Sequence, residues 1–212
     1  MSEKMLTNDF NTILAGRRSI RNYDPAVKIS KEEMNAILTE ATLAPSSVNM
    51  QPWRFVVVES DEGKETLKPI IRFNTLQNDT SAAMILIFGD RNCFDFGEEI
   101  YGTAVERGLM PQEVKDRQIA ALTNHYNTIS DDKLKEILLI DGGIVAMQLM
   151  LVARKYGYDT NPIGGFEEDQ LAEAFGLDAK RYVPVMVLSI GKANEEGYAS
   201  VRLPIEKITE WK

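Results

Sequence analysis

The sequence predicts a layered fold of helices on a central β-sheet, α+β or α/β, from three observations. Short β-branched runs recur at Arg54–Glu59, Ala83–Phe88 and Val183–Ile190. Stretches of helical periodicity separate them. One helix, Asp141–Tyr156, is apolar around nearly its whole circumference, which requires burial on all sides.

The elements follow in order. Apolar Met5, Leu6, Phe10, Ile13 and Leu14 predict a first helix over Met5–Arg17, stopped by Gly16. After the Asp24-Pro25 loop, Ser30 and Glu33 form a capping box for a helix through Met34, Ile37, Leu38 and Ala41, which Pro45 ends. Further helices are predicted near Gly63–Arg72, Glu98–Gly108 and Pro111–Asn127. A 212-residue chain is too small for one lobe to surround the Asp141–Tyr156 helix, so its apolarity points to a second subunit. The segment Lys192–Lys212 is polar with interspersed Tyr198, Val201, Leu203, Pro204, Ile205, Ile208 and Trp211, the pattern of an extended docking arm. No repeat or flexible linker divides the chain, so a single domain over 1–212 is expected.

Composition excludes several function classes. A net charge of -8 argues against general attraction to nucleic acid or to an anionic membrane, so any phosphate must find a local basic cluster. No segment reaches the roughly 18 to 20 uninterrupted apolar residues of a membrane span, and Met1-Ser2-Glu3-Lys4 lacks the apolar core of a signal peptide. A cytoplasmic location is expected. The single Cys93 allows no internal disulfide and reads as an incidental loop residue. His125, the only histidine, reads as a surface helix residue, leaving neither a zinc cluster nor a Ser-His-Asp set.

Three segments carry the chemistry. Arg17-Arg18-Ser19-Ile20-Arg21 gathers guanidinium forks and a hydroxyl suited to a phosphate or a heterocycle edge. Equally, it reads as a solvated basic patch at a helix C-terminus. Ala44-Pro45-Ser46-Ser47-Val48-Asn49-Met50-Gln51-Pro52-Trp53 is a polar loop leading into a buried strand, able to present donors and acceptors to a ring or simply to satisfy its own backbone. Asn161-Pro162-Ile163-Gly164-Gly165-Phe166 offers backbone amides without Cβ interference, or an ordinary turn.

Together, with Asn74 before a strand, Asp141-Gly142-Gly143 in the buried helix, Val183-Pro184 and Arg202-Leu203-Pro204, these segments resemble the nitroreductase family of flavoproteins over nearly the whole chain. The resemblance implies an α+β fold with a central mixed, mostly antiparallel sheet flanked by helices. It further implies an intertwined homodimer with a swapped C-terminal arm over about 192–212 and a helical flap over about 94–126, where Phe94, Phe96, Tyr101 and Tyr126 are candidates. The implied cofactor is FMN, with NADH or NADPH as hydride donor.

By that resemblance Arg17, Ser19 and Arg202 would hold the FMN phosphate and Arg18 would line the same end. Arg21 would sit near the pyrimidine edge, Asn74 and Gln77 would bond the ring, and Pro45, Ser46, Ser47 and Asn49 would reach in from the other subunit. Gly164 and Gly165 would face N5, with Pro162 and Ile163 beside them. No side chain is assigned as catalytic and no metal is expected, because the chemistry resides in the flavin. Gln77 stands where many relatives place a lysine, and Gly164 where one branch places a glutamate.

The implied activity is reduction of nitroaromatics, quinones, free flavins or activated alkenes by a ping-pong route. The rivals are a non-turnover flavin carrier or redox sensor, a dehalogenating or flavin-fragmenting relative, and a non-flavin phosphate binder.

Overall fold

The computed structural model describes residues 9–212, so Met5 and Leu6 of the predicted first helix lie outside the described residues. Four strands, β1 (Trp53–Val58), β2 (Ala83–Asp90), β3 (Asp159–Ile163) and β4 (Tyr182–Gly191), form one sheet in the order β1-β2-β4-β3. All three pairings are antiparallel, and the sole parallel feature among the described residues is the isolated bridge Ser19–Thr160.

Every residue of β2 is buried, because the strand is central and covered on both faces. Ile85 and Ile87 point to one layer, where α2 (Lys31–Ala41) and the long α7 (Asp131–Lys155) pack. Met84, Leu86 and Phe88 point to the other, beside α3 (Asp61–Leu67), α4 (Thr75–Thr80) and α8 (Glu168–Ala174). A fully buried side chain of this size stabilises the fold by about 1.5–3 kcal/mol relative to exposure, so the two-sided core sets β2 and α7 as the rigid frame.

Several expectations are corrected. The strand β3 falls where no strand is expected, and α4 and α8 where no helix is; Asn74 therefore precedes a helix, not directly a strand. The long α7 begins ten residues before the expected Asp141, at Asp131, where the Ser130 hydroxyl accepts from the Lys133 amide and caps it. Within the protomer it keeps an open apolar face, with Ile140 61% exposed and Leu139, Ile144 and Met147 beside it. By length and composition α7 could cross a membrane, yet here it packs along the sheet and α2.

A smaller cluster of Met50, Cys93, Tyr101 and Leu122 joins α5 (Gly97–Glu106) and α6 (Gln112–Thr128) to the main body. Cys93 is not an incidental loop residue: it is buried in a short 3-10 turn, its thiol facing the Tyr126 hydroxyl at 3.8 Å, and burial pushes its pKa up. His125 lies exposed on α6, edge-on to Tyr126.

Candidate functional site

The chemistry-bearing residues fall into two groups, the segments around the edge strand β3 and the loop before the opposite edge strand β1. The first begins with α1 (Phe10–Gly16), which ends at Arg17. Beyond it the chain runs along the edge strand β3, where the Ile20 amide donates to the Thr160 carbonyl. Tyr23, fully buried, anchors this segment: its hydroxyl donates to the Ile20 carbonyl at 2.7 Å and lies 2.7 Å from the Ser189 hydroxyl. Burial pushes the Tyr23 pKa far up, so the phenol stays protonated. Gly191 makes room for that ring, since a Cβ there would lie 2.9 Å from the Tyr23 Cδ1.

The C-terminal segment then lies against the same stretch. Asp24 donates to the Lys192 carbonyl, Asn194 to the Asn22 carbonyl, and the Glu195 carboxylate accepts from the Arg21 amide at 2.6 Å and the Asn22 amide at 3.3 Å. This pairing brings Arg202 to the N-terminal arginines. Arg17, Arg18, Ser19, Arg21, Tyr198, Ala199, Ser200 and Arg202 line one concavity of about 190 Å³.

Among the described residues no carboxylate lines it and none of its four arginines is in an ion pair. In a chain of charge -8 such a cluster is chemically suited to an anion. Arg18 is partly occupied, donating to the Ala15 and Arg17 carbonyls, the role expected of a solvated basic patch at a helix C-terminus. Arg21 lies over the Tyr198 ring at 5.6 Å, inside the same concavity. The cationic residues from both ends of the chain meet within one protomer, not across a boundary between subunits.

Asn74 immediately precedes α4 and Gln77 stands on it, beside the segment that follows β3. The Gln77 amide donates to the Asn74 side-chain oxygen, and the Asn74 amide donates to the Ile71 carbonyl. Gly165 is their neighbour: a Cβ placed there would meet only the Asn74 amide nitrogen, at 3.8 Å, and one on Gly164 would meet nothing within 4 Å. The backbone therefore faces open space, a surface on which a flat ring can lie. Pro162 and Ile163 belong to β3 itself, paired with Leu188 and Val187. The missing amide of Pro162 is tolerated because β3 is an edge strand.

The second group is the loop before β1. Pro45, exposed, leads into Ser46 and a 3-10 turn over Ser47–Asn49, in which Val48 (φ 46°) and Asn49 (φ 57°) adopt left-handed backbone, as does Gln51 (φ 47°). The Ser46 hydroxyl accepts from the Gln51 amide at 3.0 Å. Asp141 of α7, only 2% exposed, accepts from the Ser47 amide at 3.1 and 3.0 Å and from its hydroxyl at 3.2 Å. Burial raises the Asp141 pKa, and the Ser47 bonds offset this only in part. Tyr101 of α5 donates to the Val48 carbonyl at 3.1 Å.

Two adjoining hollows of about 270 and 290 Å³ lie between this loop and α5, sharing Gln51, Glu99 and Ile100. Phe96 walls one of them; Phe94 stacks on Tyr126 behind. Arg54 is held there by Asp90, which Arg181 also grips through two bonds of 2.8 and 2.9 Å.

The arginine segment and the turn before β1 lie towards opposite ends of β2 in one protomer. Ser19 bridges Thr160, Thr160 pairs with Ile190 and Ile190 with Ala83, whereas Trp53, just after the loop, pairs with Gly89. The stretch of β2 from Ala83 to Gly89 separates them, on the order of 20 Å at about 3.4 Å per residue.

The sequence reading missed Asp141 as a loop anchor, Glu195 as the strap on the arginine segment, Tyr198 and Ser200 in the concavity, and Phe73, almost fully exposed beside Asn74. A carboxylate opening an otherwise apolar helix face was the signal for Asp141.

The sequence profile described as Nitroreductase family matches residues 14–192. The chain is 66% identical over 206 residues to the Bacillus subtilis protein YdgI, which carries a provisional NAD(P)H nitroreductase name, covering 97% of this chain and 99% of the relative. It is 35% identical to the CLA biosynthesis enone reductase of Lactiplantibacillus plantarum, covering 99% of this chain and 97% of that one. A crystal structure of a provisionally named nitroreductase in complex with FMN, from Exiguobacterium sibiricum, superposes with a TM-score of 0.96 at 62% identity, covering 99% of this chain and all of the other.

Proposed function

The chain belongs to the nitroreductase family, and from that premise we propose that it is an FMN-dependent oxidoreductase that spends NAD(P)H on nitroaromatics, quinones or related acceptors. The carrying observation is the concavity of four arginines without a carboxylate partner, which fits the dianionic phosphate of FMN. Arg17, Ser19 and Arg202 hold the phosphate, with Arg18 at the same end. Asn74 and Gln77 bond the ring, and the open backbone at Gly164 and Gly165, after Pro162 and Ile163, faces its reactive side. Arg21 stands by as the cation that offsets negative charge gained on reduction.

When bound, FMN supplies hydride acceptance from the nicotinamide and return of reducing equivalents to the acceptor. The protein binds, orients and excludes water. The absence of an assigned catalytic side chain follows from that division of labour.

A homodimer completes the site. Pro45, Ser46, Ser47 and Asn49 lie about one strand length from their own arginine concavity, so they serve the flavin of a second copy. The open face of α7 and the exposed Val201, Leu203, Ile205, Ile208 and Trp211 of the C-terminal arm supply the apolar surface for that contact. The helices α5 and α6 form the flap, the whole chain is one functional domain, and the location is cytoplasmic.

The test begins with the spectrum: purified protein, or protein incubated with FMN, shows flavin absorbance and oxidises NAD(P)H steadily when menadione or a nitroaromatic is added, with parallel double-reciprocal plots. Protein that stays colourless with FMN, or light scattering of a stable monomer that still turns over, overturns the corresponding part. A second reading, reduction of an activated alkene, is favoured by the likeness to the enone reductase; an α,β-unsaturated ketone in the same assay decides it.

A further inference from the structure

We propose that Asp141 and Tyr101 are positioning residues, which clamp the Ser47–Asn49 turn from the core helix and the flap so that it presents Ser46, Ser47 and Asn49 to the flavin. The inference rests on the dimeric flavin site proposed above.

Val48 is the reason a clamp is needed. A β-branched residue rarely adopts a φ of 46°, because its Cβ crowds the neighbouring carbonyl, and such a conformation persists only where the surroundings over-determine it. Val48 is itself 45% exposed, so its own packing does not hold it there. The bonds on either side do. Both oxygens of Asp141 take the Ser47 amide and one also takes the Ser47 hydroxyl, while the Tyr101 hydroxyl takes the next carbonyl along, that of Val48.

The clamp is rigidly mounted. Gly142, next to Asp141, sits so close to β4 that a Cβ would lie 2.7 Å from the Val185 Cγ1, which fixes the height of the carboxylate over the sheet. Tyr101 is mounted on the opposite wall, 8% exposed in the cluster with Met50, Cys93 and Leu122. The turn is thus suspended between the helix that carries the open apolar face and the helix that walls the substrate hollows.

A buried carboxylate whose charge is disfavoured by burial is a poor choice for stability alone. Its use here is to hold a strained shape that a neutral side chain would hold less firmly.

Asp141→Asn and Tyr101→Phe, each made in the full chain, test the proposal through FMN affinity by fluorescence titration, the visible flavin spectrum, and the melting temperature of the cofactor-free protein. The expected result is FMN binding weakened on the order of tenfold in Asp141→Asn and about threefold in Tyr101→Phe, with a shifted flavin band and a cofactor-free melting temperature that is retained or raised. Wild-type affinity and spectrum in either variant, or a loss of affinity only as large as a parallel loss of cofactor-free stability, overturns it. If Asp141→Asn does not fold, Tyr101→Phe alone decides. Wild-type protein that fails to bind FMN defeats the underlying flavin reading instead, so the two failures are distinguishable.

Discussion

The two ends of the sheet solve the problem of holding a ligand in opposite ways. At the end near Ala83 and Ile190, cationic side chains face outward from extended backbone that is itself tied down by Tyr23 and Glu195. At the end near Trp53 and Gly89, a polar turn is bent into left-handed backbone and fastened to two helices. The first end offers charge on long, partly or fully exposed side chains, so it tolerates small displacements and is screened by salt. The second works by shape on a fixed backbone, so displacement matters there and salt does not. One end offers charge; the other offers a fixed shape.

Breaking the charged end is expected to have the largest effect. Replacing Arg17 and Arg202 together by Ala should weaken FMN binding by about a thousandfold, the loss of two charge-assisted contacts at about tens-fold each, measured by equilibrium titration. Melting temperature should hardly move, because neither side chain is in an ion pair among the described residues. A double variant that binds FMN as the wild type does would remove the phosphate assignment altogether.

The shaped end is broken through its mounting. Gly142→Ala places a methyl group 2.7 Å from the Val185 Cγ1 and 2.8 Å from its Cγ2, so α7 must lift from β4. Overpacking of this kind costs about 1–3 kcal/mol, read as a lower denaturant midpoint. Because the lift carries Asp141 with it, affinity should fall as well, but with the salt dependence of the wild type retained.

Salt itself separates the two ends. Raising ionic strength from about 0.05 to 0.5 M should weaken FMN binding several-fold in the wild-type protein, through screening of exposed guanidinium groups. The Arg17 and Arg202 double variant should lose most of that dependence, and Asp141→Asn should keep it. Equal salt slopes in all three would show that the ends do not divide the work in this manner.

How legible each end was in the sequence follows from the same difference. The arginines announce themselves by residue type, and β2 announces itself because its first seven positions, Ala83 to Gly89, are buried and all apolar or small. The edge strand β3, Asp-Thr-Asn-Pro-Ile, is polar and contains a proline, so its pairing is dictated by β4 and not by its own pattern. The helices α4 and α8 have six and seven residues, too few to show a period or to stand without packing. The full turn of apolar residues in α7 was visible, but not that one side would remain open in the protomer, since that depends on which neighbours the topology supplies. The Asp141–Ser47 clamp joins residues 94 positions apart, a contact that no local spacing encodes.

The smallest expected effect probes the strain directly. Val48→Asn keeps the Val48 carbonyl that Tyr101 bonds and the Ser47 groups that Asp141 bonds, because all of these are backbone or neighbouring atoms. It exchanges a β-branched residue at φ 46° for one that enters the left-handed region readily, and it gives up little burial since Val48 is 45% exposed. Stability should therefore rise by about 1 kcal/mol, seen as a higher melting temperature, while FMN affinity stays within about twofold of wild type. A fall in stability would mean that the turn is not strained at Val48, and that Asp141 and Tyr101 hold a shape the chain would adopt without them.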